Sequence, residues 1–458
     1  MIRPGLWTAT AMAAISQLAI SPAAAAENKA RPSCTPVEVV RPTLGPAAQA
    51  RLKSLMRQMI EKRIAPGAVL VIEQRGRVVT SIVDGHADAE RQEPMAADSL
   101  FRIYSMTKPL TAVAALQLVD QGRLRLDDPV GRFIPEMNSL RAWVGSGEVT
   151  ATEPLKRPLT VRDLLTHSAG FGYQGDQAHP VLRLYGTKGI GAGPGVGGTP
   201  TDGSAPATGL AEFTRKLATL PLLHQPGVQF TYGNASDVLG RVVEVAAGQP
   251  LAALMNAAIF RPLGMTSTSF GIPAGQEGKL TSAYLAKSHA APAAGVFDVP
   301  DIEDLPTGAL SRIDDGRASI FAQKDRIDYG GAGLISTADD YLRFTRMLRE
   351  RGGADGKRLI SEQLAEAMMS NQLEPQARLG AKMLDQASFG FGIGVRTAPT
   401  RASPAFPQCS AFWGGAGSTF FWVDRAGETS GVLMTQVFGG DVKSYWLAMM
   451  KELYGPSN

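Results

Sequence analysis

Apolar positions along this chain follow two periods, and the switches between them mark its elements. From Arg51 to Ile64, RLKSLMRQMIEKRI places its apolar residues on one face of a helix. GAVLVIEQRGRVVTSIVDGHAD follows as two apolar runs around Arg75-Gly76, the pattern of a hairpin. In FRIYSMTKPLTAVAALQLVDQG, Leu110, Val113, Ala114, Leu116 and Leu118 recur at helical spacing. Pro109 suits the first turn of that helix, and Gly122 suits its end. From about Leu126 to Asp325 the texture changes. Short helical patterns (TVRDLLTH, LAEFTRKLATL, ASDVLGRVVEVAAG) are joined by long loops, the longest being the glycine-rich stretch 186–209. Beyond it, GGAGLISTADDYLRFTRMLRE predicts a helix with Ser336 as N-cap and Asp339 completing a capping box. STFFWVDRAGETSGVLMTQVF predicts a second hairpin around Arg425-Ala426-Gly427, and DVKSYWLAMMKELYG a closing helix. Strands towards both ends with helices between them predict an α/β fold of the α+β type. One mainly antiparallel sheet flanked by helices would use residues 51–125 and 326–458, with 126–325 inserted as a mostly helical domain.

Composition narrows the class. Of 458 residues, 44% are hydrophobic and 19% charged, so a large core is expected and wholesale disorder is not. The net charge of +4 is spread over scattered Lys and Arg, without the basic run or face that nucleic acid demands. Residues 1–26 read as a secretory signal: Arg3, an alanine-rich apolar stretch, and small residues at Ala24 to Ala26. Residues 27–50 follow as a proline-rich tether. No later segment is apolar enough to span a bilayer, so an exported chain without a stable membrane anchor is expected. Cys34 and Cys409 are the only cysteines; export permits a bridge, but their spacing leaves the pairing open. There is no HExxH, no zinc spacing and no GxxxxGK[ST], so no metal and no cofactor are expected.

Three short segments carry candidate chemistry. Ser105 and Lys108 are three apart where the apolar helix begins, so they share a face at its positive end. A serine hydroxyl is a weak nucleophile until a base takes its proton, and a desolvated lysine can be that base. The helix end adds backbone N–H donors for an oxyanion. On its own the pair also fits a capping serine beside a solvated lysine. FTYGNASDVLG offers Tyr232, able to relay a proton, and Asn234, whose amide can bond both lysine and substrate. FWGGAGSTFFWVD offers Trp413, Gly414 and Gly415 before a strand, where a ligand can approach the backbone, and the N–H of Ala416 as a second oxyanion donor.

In this order, Ser105-Met106-Thr107-Lys108, Tyr232-Gly233-Asn234 and Trp413-Gly414-Gly415 resemble the SxxK, YxN and KTG motifs of the serine β-lactamase and penicillin-binding-protein superfamily. The tyrosine of the second motif, LLTHSAGFGY and YGGAGLISTADDYLRF resemble the class C branch. The likeness runs from about Leu52 to Tyr454 and implies a β-lactamase/transpeptidase-like fold. Trp413 stands where the lactamases have a lysine that binds the substrate carboxylate, and this WGG resembles the family VIII carboxylesterases. The resemblance implies Ser105 as the acylated nucleophile, with Lys108 as base and Tyr232 as base or proton relay. It also implies an oxyanion hole from the N–H groups of Ser105 and Ala416, with Asn234, Trp413, Gly414 and Gly415 at the substrate. The expected activity is hydrolysis of short-chain esters with weak lactam hydrolysis. A class C-like β-lactamase or D-amino-acid peptidase, and a non-catalytic penicillin-binding-like module, are the alternatives. His167, in LLTHSAG, reads as a structural histidine, and no GxSxG elbow is present.

Overall fold

The computed structural model describes residues 34–36, 41–42, 44–145, 149–174, 179–191, 193–194, 200–287, 308–323, 326–379, 387–397 and 406–455. Residues 1–26, read as a signal, lie outside these residues. The first helix, α1, runs Pro46–Glu61, so it starts inside the stretch read as tether. Proline at its first position lacks only an N–H that would have no partner there. Leu52, Met56 and Met59 form the buried stripe of α1.

Eight strands make the main sheet: β1 (Gly67–Gln74), β2 (Arg77–Asp88), β3 (Glu93–Pro94), β4 (Ala387–Phe389), β5 (Gly394–Arg396), β6 (Ala411–Gly415), β7 (Thr419–Asp424) and β8 (Thr429–Thr435). Their spatial order is β4-β5-β6-β7-β8-β1-β2-β3, and each pairing is antiparallel. Both predicted hairpins are present, closing at Gln74↔Arg77 and Asp424↔Thr429. The join between chain ends is β1 against β8, from Ala68↔Thr435 to Gln74↔Thr429. Every residue of β8 is buried, which requires cover on both faces. α1 and the closing helix Val442–Tyr454 pack together on one side, and the helix Ala338–Arg349 packs on β8, β1 and β7. A smaller sheet joins Ala283–Lys287 to Ala309–Asp314, and pairs the former in parallel with Val437–Phe438.

The helix Ala338–Arg349 is capped one residue later than its sequence suggests. Thr337, extended at φ −101° and ψ 166°, accepts from the Asp340 N–H, while Ser336 is in a strand pair with Phe101. Asp340 spends its carboxylate on the Ser267 N–H and the Thr268 hydroxyl, leaving no capping box.

Cys34 and Cys409 are joined, with Cα atoms 5.5 Å apart across a sequence separation of 375. The bond ties the start of the described chain to the turn before β6. Closing so long a loop restricts the unfolded chain, so Cys34→Ser should cost about 2–4 kcal/mol. The denaturation midpoints of variant and parent under oxidising conditions give the value; equal midpoints would show that the bond carries no stability.

Candidate active site

Helix α2 (Thr107–Asp120) is the spine of the site. All its residues from Thr107 to Val119 are buried, so it runs through the core rather than along a surface. Ser105 lies in the 3₁₀ turn Tyr104–Met106 that leads into α2. Tyr104 takes a positive φ of 41°, a costly conformation for a residue with a bulky side chain. Its ring is held edge-on between Phe321 and Phe438. The strain is localised at the residue before the proposed nucleophile.

The serine and lysine meet as their spacing predicts. Lys108 is fully buried, and its Nζ donates to Ser105 Oγ at 3.1 Å and to the Gly331 carbonyl at 2.7 Å. The same ammonium lies 4.7 Å from the centre of the Tyr232 ring and 5.5 Å from that of Tyr173. The two aromatic rings meet edge to face. Tyr232 is thus beside the pair, although 127 positions separate it from Ser105 in the sequence.

Trp413, on β6, is buried and stacks obliquely on Tyr232 at 5.4 Å between ring centres. Its indole N–H donates to the Tyr232 hydroxyl at 3.3 Å. An indole nitrogen only donates, so the tyrosine oxygen accepts here and its own proton is free to point elsewhere. β6 also packs on the Tyr104–Met106 turn. Gly415, its last residue, lies so close to that turn that an added Cβ would sit 2.4 Å from the Ile103 carbonyl oxygen. At Gly414 an added Cβ would meet the Phe420 ring at 2.9 Å. What approaches these two glycines in the structure is the protein itself. The absent side chain of Gly415 lets the end of β6 lie against the turn that carries Ser105.

Asn234 is fully buried at the start of the helix Ala235–Ala247. Its amide donates to the Gly191 carbonyl at 2.8 Å and to Asp237 at 3.1 Å. It makes no hydrogen bond to Lys108: the lysine Nζ donates to Ser105 and Gly331 instead, and the Asn234 Oδ1 that could accept from it is buried without a hydrogen-bond partner among the described residues. Lys108 is held through Gly331, whose N–H donates to Asp237 at 2.8 Å. Asp237 is fully buried. Burial pushes its carboxyl up to about 6, opposed first by the Lys108 charge and then by the bond from Gly331. Gly191 belongs to the glycine-rich stretch, and Gly193 packs on Ala332, so the start of that stretch is anchored behind the lysine.

His167 is buried beneath Tyr232, their ring centres 5.0 Å apart, and adopts φ +54°. Burial, followed by the Lys108 charge, holds its imidazole well below the usual range, so it stays neutral. Tyr173, Gly331 and Asp237 were not singled out by sequence reasoning. Tyr173 ends LLTHSAGFGY, Gly331 lies in YGGAGLISTADDYLRF and Asp237 in FTYGNASDVLG, all stretches quoted above, but nothing in them marks these residues as supports of the lysine. No group of three or more His, Cys, Asp or Glu able to hold a metal occurs among the described residues.

The sequence signature of the family described as Beta-lactamase matches residues 52–452. Fold and motifs agree with it, and the chain belongs to that family, with its β-lactamase/transpeptidase-like architecture. Esterase EstB of Burkholderia gladioli is 33% identical over 387 residues, covering 84% of this chain and 90% of EstB. The solved structure of EstCE1, titled a hydrolase with promiscuous acyltransferase activity, superposes with a TM-score of 0.70 at 26% identity, covering 89% of this chain and 99% of EstCE1. Unliganded simvastatin synthase from Aspergillus terreus reaches a TM-score of 0.67 at 20% identity, covering 89% and 98%, and shares the fold.

Proposed function

We propose that the protein is a serine carboxylesterase that works through an acyl-enzyme on short-chain esters. The observation that carries this reading is the buried Lys108 ammonium, in contact with Ser105 Oγ and beside the Tyr232 ring. Similarity to an esterase across most of both chains supports the substrate class. Ser105 attacks the ester carbonyl, and its hydroxyl proton passes to Lys108 acting as the neutral amine, with Tyr232 as base or relay beside it. The N–H groups of Ser105 and Ala416 face the developing oxyanion. Tyr232 returns the proton to the departing alcohol, and water then releases the acid by the same steps in reverse.

Trp413 disfavours lactam acids because it supplies no cation for a carboxylate. The test is a comparison of p-nitrophenyl butyrate with a chromogenic cephalosporin in parent and Trp413→Lys protein. The parent should favour the ester, and the variant should shift the ratio of kcat/KM towards the lactam by about tenfold, the scale of one charge-assisted contact. An unchanged ratio contradicts the role given to Trp413. Ester turnover absent from the parent contradicts the proposed activity.

The signal-like 1–26 supports export, and a disulfide fits an oxidising compartment. The periplasm or the exterior of a bacterium is the proposed location, with no nucleic-acid partner and no cofactor.

A further inference from the structure

Gly331, which holds the lysine, follows five residues after a cation with two of its three nitrogens unpartnered among the described residues. Arg326 Nη1 donates to the Gly333 carbonyl at 3.1 Å, and its guanidinium lies 4.9 Å from the centre of the Phe321 ring. Its Nε and Nη2 are buried and have no hydrogen-bond partner among the described residues. These two N–H groups share one edge of the guanidinium plane, and that edge matches the two oxygens of a carboxylate. Leaving charged donors dry and unpaired is costly, so such an edge calls for an acceptor. Asp328 draws on the Arg326 charge from a distance but accepts from neither atom.

Both residues line a cavity of about 660 Å³. That volume is within the range of small-molecule sites. Arg261 adds a second cation to the wall, while Phe260, Met265, Phe270 and Ile272 make an apolar side. Ser105, Lys108, Tyr173, Tyr232 and Trp413 are not among the lining residues, so this space is separate from the proposed catalytic group.

We propose that this cavity binds a monocarboxylate with a short apolar chain, its two oxygens on Nε and Nη2 of Arg326 and its chain against Phe260, Met265, Phe270 and Ile272. The chemistry selects this class twice over. A bare anion would leave the apolar wall wet, and an alcohol or amine would leave the guanidinium edge unpaired. Asp328 opposes the ligand's charge. The occupant would rest on the segment that runs from Arg326 through Gly333, whose Gly331 carbonyl holds Lys108, so its binding bears on the lysine's support. The inference stands on this cavity alone and does not depend on the chemistry assigned to Ser105.

Calorimetric titration of the mature chain with sodium octanoate tests it, with octanol and octylammonium as controls. One octanoate should bind per chain, and neither control should bind at the same concentration. Arg326→Gln and Arg326→Lys should each weaken octanoate at least about tenfold, since both lose the fork, and Asp328→Asn should tighten it. Ile272→Trp changes a half-buried residue and fills the apolar end; it should abolish octanoate binding with an unchanged circular dichroism spectrum, which keeps the test open if Arg326 variants do not fold. Absence of octanoate binding overturns the proposal. So does octanoate binding that survives Ile272→Trp, which would place it elsewhere on the protein.

Discussion

Lys108→Met is expected to lower kcat for p-nitrophenyl butyrate by about 10⁴-fold while leaving the melting temperature unchanged or higher. The first half follows from the proton. Without an amine at 3.1 Å, Ser105 attacks as a neutral hydroxyl, and loss of a positioned base costs about this much. The second half follows from burial. A fully buried ammonium has given up its hydration for two hydrogen bonds, and an apolar chain of similar length replaces it at little or negative cost to stability. Asp237, relieved of the nearby cation that lowers its pKa, would bind a proton and stay neutral. A merely structural lysine would show the opposite pattern, with stability lost and residual turnover in proportion to folded protein. Kinetics and calorimetry on one preparation decide between them, and a variant keeping a tenth of parental kcat contradicts the assignment.

Tyr232→Phe should be the second severe lesion, at about 10²- to 10⁴-fold in kcat. The ring would remain in its aromatic setting among Tyr173, His167 and Trp413, so substrate should still bind and KM should change little. Trp413→Phe separates the hydroxyl from its support. It removes the indole donor at 3.3 Å but keeps an aromatic ring, and should cost about tenfold, the scale of one hydrogen bond. The two substitutions act on one oxygen, so their combination should be no worse than Tyr232→Phe alone. Full additivity in that double variant would mean that Trp413 acts through something other than Tyr232.

What the sequence made legible was whatever local pattern carries. The two hairpins, the 3.6-residue periods and the SxxK spacing need only neighbours within a turn or a strand pair, and the structure has them. α2 was read as an apolar helix and is buried on every side, but which elements wrap it could not be read from its own residues. The Thr337 cap was displaced by one residue because Ser336 was taken by a strand partner at Phe101, far away in sequence. The lysine's support was invisible for the same reason. Gly331 reaches Lys108 across 223 positions and is itself held by Asp237 across 94, and neither a glycine carbonyl nor a lone aspartate advertises such a contact. The cysteine bridge, closing 375 residues, likewise has no spacing signature.

Mass spectrometry of the protein after exposure to a fluorophosphonate tests the central claim most directly, because the reagent needs an activated hydroxyl and an oxyanion site but no knowledge of the natural ester. A single adduct on the peptide containing Ser105, lost in Ser105→Ala together with all ester turnover, is the predicted result. An unlabelled parent, an adduct on another serine, or a Ser105→Ala protein that still turns over the ester would contradict it.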